Sequence, residues 1–559
     1  MIGVIANASD HAVVAEFFEL FKTPWEFFQG DRRYEVVLCA GEGVFCENIA
    51  RLVVIYGGRK LSFDAPADVK TLGHCATGRI LVYKKRTLPI YGHSIALGGE
   101  KPALLVDAES GDSAGFIEEG GGTRIARIGY DLFSEIRTLL TVGQPLCNAS
   151  IPALDYHIAI LRDVIRESKL PLIEIPPVPE GYKFIACLTH DVDHPSIRRH
   201  RFDHTAVGFL YRAVVRSVFL VLQRRMSVRD LLINWVAALK LPFVYLGLAK
   251  DFWQGFDRYF SLEGGLPSSF FVIPFKGYPG RQKCGEAPKY RASGYSAADI
   301  ADQLRALNTA GCEIGLHGID AWHDAARGRQ ELAEIGRLTG VQRLGVRIHW
   351  LYWDEGAPSV LEAAGADYDS SVGYNETIGY RAGTTQVYRP LGVSRLLELP
   401  LHIMDTALFL PSHLGLSMAE AHKVVNAIID NAVEFGGVVT VNWHDRSIAP
   451  ERLWGNFYAL VVESLTNRGA WFANAGNTVD WFRQRRSAVF KSGDGSHQVQ
   501  VRGALGATAV LPALSLLIHG PSPEGSPIPD PWRDLTLIDG AMTVPVPARS
   551  SSSRSTYEH

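Results

Sequence analysis

Strand-like and helix-like runs alternate between about residues 180 and 485, and this alternation constrains the fold more than any other feature of the sequence. Amphipathic runs such as SMAEAHKVVNAIIDNAVEFGG separate several of the strand-like runs. Alternating β and α units favour parallel strands covered by helices, and seven or eight repeats suit a distorted (β/α) barrel. The predicted strands are FIACLT (184–189), SFFVIP (269–274), CEIGL (312–316), LGVR (344–347), ADYDS (366–370), LLELP (396–400), VVTVNW (438–443) and AWFAN (470–474).

The sequence on either side of this stretch predicts further domains, since 559 residues are too many for one ordinary domain. Residues 1–175 contain short β-rich runs and then a helical segment, which predicts an α/β N-terminal domain of unknown role. Residues 180–485 are predicted to form the barrel, with a helical insertion at about 196–265. Residues 487–545 are predicted to form a small β-rich C-terminal extension, and residues 546–559 a disordered tail.

The insertion contains an apolar and basic segment between residues 205 and 250. Its run LLINWVAALKLPFVYLGLA is nearly long enough to cross a bilayer, but Asn234, Lys240 and Pro242 interrupt it. Arginines lie among the apolar residues upstream of this run. Three interpretations stay open: helices packed on a core, a peripheral insertion that contacts a membrane surface, and a true span.

Charge and cysteine usage exclude several classes of protein. The net charge of -3 gives no general attraction to nucleic acid. The seven cysteines are scattered and never form a C-x-x-C pair, which argues for reduced thiols rather than a disulfide framework. The first residues lack the basic region of a secretory signal. We therefore expect a cytoplasmic location, with membrane association if segment 205–250 contacts lipid.

Histidines and carboxylates are concentrated where four of the predicted strands end. In a parallel barrel, the carboxyl ends of the strands form the active-site face. A carboxylate with two imidazoles offers three ligands to a divalent cation and leaves a position for water, and Zn²⁺ suits these ligands best. The four groups are His190, Asp191, Asp193 and His194; His317, Asp320 and His323; Arg347, His349 and Trp350; and His444 and Asp445.

Five segments in this stretch carry a family resemblance. LTHDVDH, SSFFVIP, EIGLHGIDAWHD, GVRIHWLYWDE and VVTVNWHD resemble, in order and spacing, the successive motifs of the polysaccharide deacetylase family (carbohydrate esterase family 4, the NodB homology domain). The resemblance covers roughly residues 180–485. Val192 separates Asp191 from Asp193, as in the D-x-D members, which include some peptidoglycan deacetylases and cyclic-amide hydrolases.

The resemblance implies a role for each matching residue. Asp191 would be the catalytic base, and Asp193 a metal ligand. Arg347 would hold Asp191 through a bidentate ion pair, and His444 would protonate the departing amine. The substrate groove is expected to be lined by His349, Trp350 and Trp443.

The second motif departs from the family pattern H-x-x-x-H, in which both histidines bind the metal. His317 matches the first of them, but Ala321 stands where the second is expected. His323, six residues after His317, is the expected third ligand, and Asp320 is the alternative.

The resemblance and the strand-end residues together predict a metal-dependent hydrolase acting on non-peptide C–N bonds. It would remove N-acetyl groups from an amino-sugar-containing glycan or a glycolipid precursor, such as a lipid-linked sugar, with a divalent cation as cofactor. Two alternatives stay open. One is a hydrolase of cyclic imides or other C–N bonds, and the other is a metal-free carbohydrate-binding protein, for which Ala321 is the argument.

Overall fold

The computed structural model describes residues 1–40, 49–62, 64, 70–98, 101–120, 122–200, 203–224, 226–493, 496–501, 510–520, 535–537 and 540–545. The chain divides into two compact units by its internal contacts. Unit 1 comprises Met1–Thr138, Ala153–Glu180 and Trp481–His559, and unit 2 comprises Leu139–Pro152 and Gly181–Asp480. The predicted tail, 546–559, lies outside the described residues.

Unit 1 is built on a mixed nine-stranded sheet. Its first five strands pair in parallel and the other four in antiparallel. Valine, leucine and isoleucine fill the central strands and are almost completely buried, as expected for strands covered on both faces. The order across the sheet is Trp25–Phe27, Ile2–Ile5, Tyr34–Ala40, Ala50–Tyr56, Thr123–Ile128, Ser113–Gly120, Ala103–Asp107, Ile80–Tyr83 and Arg86–Pro89.

Three smaller sheets complete the strands of unit 1. One pairs Lys70–Thr77 with His93–Gly98. The C-terminal residues form short antiparallel strands, as predicted for a β-rich extension. These strands are Val489–Gly493, Ser496–Val501 and Gly540–Pro545 in one sheet, and Leu514–His519 and Leu535–Leu537 with Leu172–Glu174 in the other.

Unit 2 contains the barrel sheet, whose seven strands are all parallel. We number them β1 to β7 along the chain. The order across the sheet is β4, β3, β2, β1, β6 and β5, and β7 also pairs with β1. The strands are β1 (Phe184–Val192), β2 (Ser268–Val272), β3 (Glu313–Gly318), β4 (Val346–Ile348), β5 (Ile403–Met404), β6 (Val438–Asn442) and β7 (Ala470–Phe472).

Two isolated parallel bridges continue the sheet beyond β4. Asp369 pairs with Val346 on one side and with Glu398 on the other. These bridges lie in the runs 366–370 and 396–400, which were predicted as strands. They carry the sheet round towards β5, so the prediction of a distorted (β/α) barrel is confirmed.

Helices surround the barrel strands and cover the sheet of unit 1. Several end in a left-handed glycine, for example Gly340 after the helix that follows β3. In chain order the α-helices are His11–Phe21, Leu132–Leu140, Ala153–Glu167, His204–Leu210, Ser217–Leu222, Val228–Tyr245, Phe256–Glu263, Ala301–Thr309, Ala325–Thr339, Ala357–Ala364, Asp405–Phe409, Met418–Phe435, Gly455–Asn467 and Ala475–Ser487. A π-helical segment, Tyr211–Arg216, joins two of them into one continuous helix.

The insertion between β1 and β2 is a helical hairpin. Its two arms are 204–222 and 228–245, and their inner residues pack with Trp253 and Ala449 in a small core of their own. The first arm is the only helix in the described part of the chain that is long and apolar enough to cross a membrane, with mean hydropathy 1.6 over 19 residues.

Candidate active site

The polar residues at the end of β1 lie in two different surroundings, the protein interior and the candidate site. Successive side chains of a strand point to opposite sides, so His190 points away from Asp191. His190 is completely buried, with Nδ1 2.8 Å from the Trp443 carbonyl oxygen and Nε2 2.7 Å from Glu263 Oε1. Both of its ring nitrogens are thus hydrogen-bonded inside the protein, and His190 stabilises the end of β1 from the side opposite to Asp191.

Asp193, His317 and His349 form the only group of three metal-ligating side chains in the described part of the chain. Asp193 Oδ1 lies 3.3 Å from His317 Nε2 and 3.3 Å from His349 Nδ1. The two imidazoles approach each other to 3.0 Å between His317 Nε2 and His349 Nδ1. One atom from each residue could therefore contact a single cation.

The surroundings of these three residues fit a divalent cation. The Nδ1–H of His317 donates to the Arg347 carbonyl oxygen at 3.0 Å, which turns the Nε2 lone pair towards the group. Asp193 Oδ1 is buried and has no hydrogen-bond partner within the described residues. A buried carboxylate oxygen without a partner is costly, and a cation would compensate it.

The protonation states of the group also favour metal binding. Burial opposes ionisation of Asp193, but attraction to His349 and contacts with His317 outweigh it and hold the pKa of Asp193 well below its usual value. Burial lowers the pKa of His349, which favours its neutral form, despite the opposing attraction of Asp193. An ionised carboxylate and a neutral imidazole are the forms that coordinate Zn²⁺.

Neither His323 nor Asp320 belongs to this group. His323 Nε2 lies 3.0 Å from Asp320 Oδ1, so the two residues pair with each other. Asp320 also accepts hydrogen bonds from the Tyr278 hydroxyl at 2.7 Å and the Arg281 backbone N–H at 2.8 Å. In the structure His349, which follows β4, lies with Asp193 and His317 in place of the expected His323 or Asp320.

Asp191 is buried beside the group and has its own partners. Asn442, on β6, donates from Nδ2 to Asp191 Oδ2 at 2.7 Å and accepts the Asp191 backbone N–H at 3.1 Å. Arg347 donates from Nη1 to Asp191 Oδ1 at 3.2 Å. The Asp191 carboxylate is therefore fixed on both oxygens, and its Oδ2 lies 4.0 Å from His317 Nε2.

Arg347 makes one hydrogen bond to Asp191 rather than the expected bidentate pair. Its Nη1 also donates to Thr189 Oγ1 at 2.6 Å, while Nε and Nη2 donate to the Ser370 carbonyl oxygen and hydroxyl. The guanidinium lies over the Phe271 ring, with the carbon 4.6 Å from its centroid. The second Asp191 oxygen is left to Asn442, a residue that the sequence analysis did not identify.

His444 follows β6 and pairs with Asp405, which follows β5. Its Nδ1 lies 2.6 Å from Asp405 Oδ1, and its backbone N–H donates to Asp405 Oδ2 at 2.7 Å. Burial favours the neutral imidazole, but attraction to Asp405 outweighs it and raises the pKa of His444 to about 9. His444 is therefore an imidazolium at neutral pH, with its other nitrogen, Nε2, 3.9 Å from Asp193 Oδ2.

One cavity of about 620 Å³ is lined by Asp191, Asp193, His317, His349 and His444. Trp350 forms part of its wall, with its ring centroid 5.5 Å from that of Tyr290. Trp350 and Leu351 both have left-handed backbone angles, with φ of 64° and 51°. Such strain in non-glycine residues is typical of functional sites, and here it directly follows His349.

Trp443 lies in the core instead of the groove. It directly follows β6, is completely buried and packs against Phe457 and Tyr458, because its side chain points away from those of its chain neighbours Asn442 and His444. The same alternation could have identified Asn442, two residues before His444. It could also have identified His349 as a neighbour of Arg347, two residues earlier.

No protein-family model and no curated protein sequence matches the chain. Solved structures similar to it include a candidate polysaccharide deacetylase from Mycobacterium smegmatis, with 19% identity over 56% of this chain and 95% of that one, at a TM-score of 0.33. A deacetylase named T48, solved with substrate, has 11% identity over 53% and 90% of the two chains, at a TM-score of 0.23.

A GH57 branching enzyme from Thermococcus kodakaraensis, in complex with glucose, is also similar, with 12% identity over 53% of this chain and 71% of that one, at a TM-score of 0.28. These similarities are too weak to transfer a function or a residue role to the chain.

Replacing His349 by glutamine is expected to remove most of the bound zinc, because it deletes one of three ligands. His323→Gln, which changes the same side chain outside the group, is expected to keep the wild-type zinc content. Metal analysis of the full-length variants, dialysed against zinc and then against buffer, measures both. Loss of zinc in His323→Gln with retention in His349→Gln would contradict the assignment.

Proposed function

We propose that the chain is a metal-dependent hydrolase that removes N-acetyl groups from an amino-sugar-containing glycan or glycolipid precursor. One observation carries the proposal. A three-ligand group for a cation, a separate buried carboxylate and a histidine paired with a carboxylate all face the same cavity. Amide hydrolysis needs these three functions: an electrophilic centre, a base and an acid.

Asp191 is suited to act as the base. It is not part of the three-ligand group, so its carboxylate stays available to take a proton from the attacking water. Asn442 and Arg347 fix both of its oxygens, and a fixed base loses little orientational freedom in the transition state. Arg347 is thus a positioning residue.

His444 is suited to act as the acid. Its Nδ1 is bonded to Asp405, which leaves Nε2 to carry a proton towards the cavity. That proton goes to the amide nitrogen as the C–N bond breaks, so that the products are a free amine and acetate. Asp405 stabilises the imidazolium and acts on the reaction only through His444.

Asp193, His317 and His349 would hold the cation, and Zn²⁺ suits one carboxylate and two imidazoles. When bound, the cation would polarise the acetyl carbonyl and stabilise the negative charge that develops on its oxygen.

Replacing Asp191 by asparagine is expected to lower kcat by at least about 100-fold, the usual contribution of a general base. Zinc content should stay close to that of the wild type, since Asp191 is not among the three ligands. Release of acetate from N-acetylglucosamine oligomers measures the rate, and Asp320→Asn is the matched control. Hydrolysis of cyclic ureides without release of acetate would instead favour the alternative C–N hydrolase.

We further propose that the helical hairpin contacts an anionic membrane surface, which would bring a lipid-linked substrate to the cavity. Its outer residues are large, apolar and exposed, including Leu222, Leu239 and Leu248 at 74–75%. Between residues 204 and 250 the hairpin has six arginines and lysines in the described part of the chain, against one carboxylate, Asp230. Apolar side chains with surrounding cations are typical of helices that lie in the interface of anionic bilayers.

Cosedimentation with vesicles containing phosphatidylglycerol tests this contact. The wild type is expected in the pellet, and the double variant Leu239→Glu/Leu246→Glu in the supernatant. Leu460→Glu changes an exposed leucine elsewhere in unit 2 and is expected to sediment like the wild type. Wild type that stays in the supernatant would contradict the membrane contact. The predicted cytoplasmic location would then no longer include association with a membrane.

A further inference from the structure

Two arginines, Arg446 and Arg452, line the same cavity as the three-ligand group and have no part in the proposed hydrolysis. Arg446 directly follows His444 and Asp445 after the end of β6, and Arg452 lies six residues further along the chain. Arg446 is only 6% exposed although it faces the cavity. A buried guanidinium requires compensation by an anion. The partners of Arg446 therefore decide what can bind to the arginine wall, the part of the cavity wall formed by Arg446 and Arg452.

The partners of Arg446 leave it incompletely satisfied. Its Nε lies 3.1 Å from Glu451 Oε1, but both atoms are buried without a hydrogen bond in the described part of the chain. Trp253 lies against the guanidinium, 4.5 Å from the carbon to the ring centroid. Burial, together with repulsion from Arg452, lowers the pKa of Arg446 to about 9.

A third arginine adds to the positive charge behind this wall. Arg212, on the first arm of the hairpin, is close enough to interact electrostatically with Arg446 and Arg452. Its Nε is also buried and has no hydrogen-bond partner among the residues that the structure describes. Carboxylates also lie near these arginines: Glu451 and Asp445 interact with Arg446, and Asp405 interacts with Arg452.

We propose that Arg446 and Arg452 bind a phosphate group of the substrate. The inference rests on the proposed function, because it assigns a second part of the same substrate to the cavity in which the amide would be cleaved. Guanidinium groups recognise phosphate through parallel N–H donors, and a phosphate monoester or diester is an anion that Arg446 and Arg452 can bind from the cavity. The substrate class is thus a phosphate-linked N-acyl amino sugar rather than a neutral polymer.

Such a phosphate could join the sugar to a lipid carrier or to a nucleotide. Arg212 favours the lipid, because it connects the arginine wall to the arm whose exposed face is apolar. Geranyl phosphate and uridine diphosphate, used as separate probes, distinguish the two sources.

Titration calorimetry of the full-length, zinc-loaded protein with methyl phosphate tests the subsite. Arg452→Gln is expected to weaken binding about tenfold, the usual loss for a charge-assisted hydrogen bond. Arg446→Gln is expected to weaken it as much, but Arg452 is less buried, so its variant is the one more certain to fold. Arg305→Gln removes an exposed arginine elsewhere in unit 2 and is expected to bind like the wild type.

Equal affinity in the wild type and both cavity variants would overturn the subsite, as would tighter binding of glucuronate than of methyl phosphate. Because the readout is binding, these results are independent of whether the protein hydrolyses amides. Tighter binding of geranyl phosphate or of uridine diphosphate than of methyl phosphate supports the subsite and identifies its source.

Discussion

The site depends on how the structure holds the buried carboxylate of Asp191. An ionised carboxylate away from water is unfavourable unless charged or hydrogen-bonding partners surround it. Asn442 bonds both the Asp191 side chain and its backbone N–H, which ties the end of β1 to β6. Arg347 brings a compensating charge from β4. Residues of β4 and β6 therefore both contact the Asp191 carboxylate on β1.

This arrangement explains how two aspartates only two residues apart can have different roles. Asp191 has hydrogen-bond donors on both oxygens and is held by the barrel. Asp193 lies beyond the strand, and its Oδ1 has no hydrogen-bond partner among the described residues but faces two imidazoles. The protein thus satisfies the first carboxylate itself and leaves the second to a ligand, as expected for a base beside a metal ligand.

Much of this could be predicted from the sequence, because the information is local. The alternation of strand and helix patterns predicted the barrel, and the strand ends identified Asp191, Asp193, His317, Arg347 and His444, which all line the cavity or directly contact a residue that lines it. The position of His349, rather than His323, beside Asp193 and His317 could not be predicted from local sequence. It depends on the distance between the ends of β3 and β4, and on Asp320, which pairs with His323 outside the three-ligand group. Trp443 was expected in the groove but lies in the core for a simpler reason. Side chains alternate in direction at the end of β6, and that of Trp443 points away from the cavity.

We propose that Asp193, His317 and His349 hold the cation beside Asp191. Anomalous diffraction at the zinc absorption edge, from crystals of the zinc-loaded protein, locates the cation. One peak is expected about 2.0–2.2 Å from a carboxylate oxygen of Asp193 and from one ring nitrogen each of His317 and His349. A peak at Asp320 and His323, with no peak at Asp193, would contradict it.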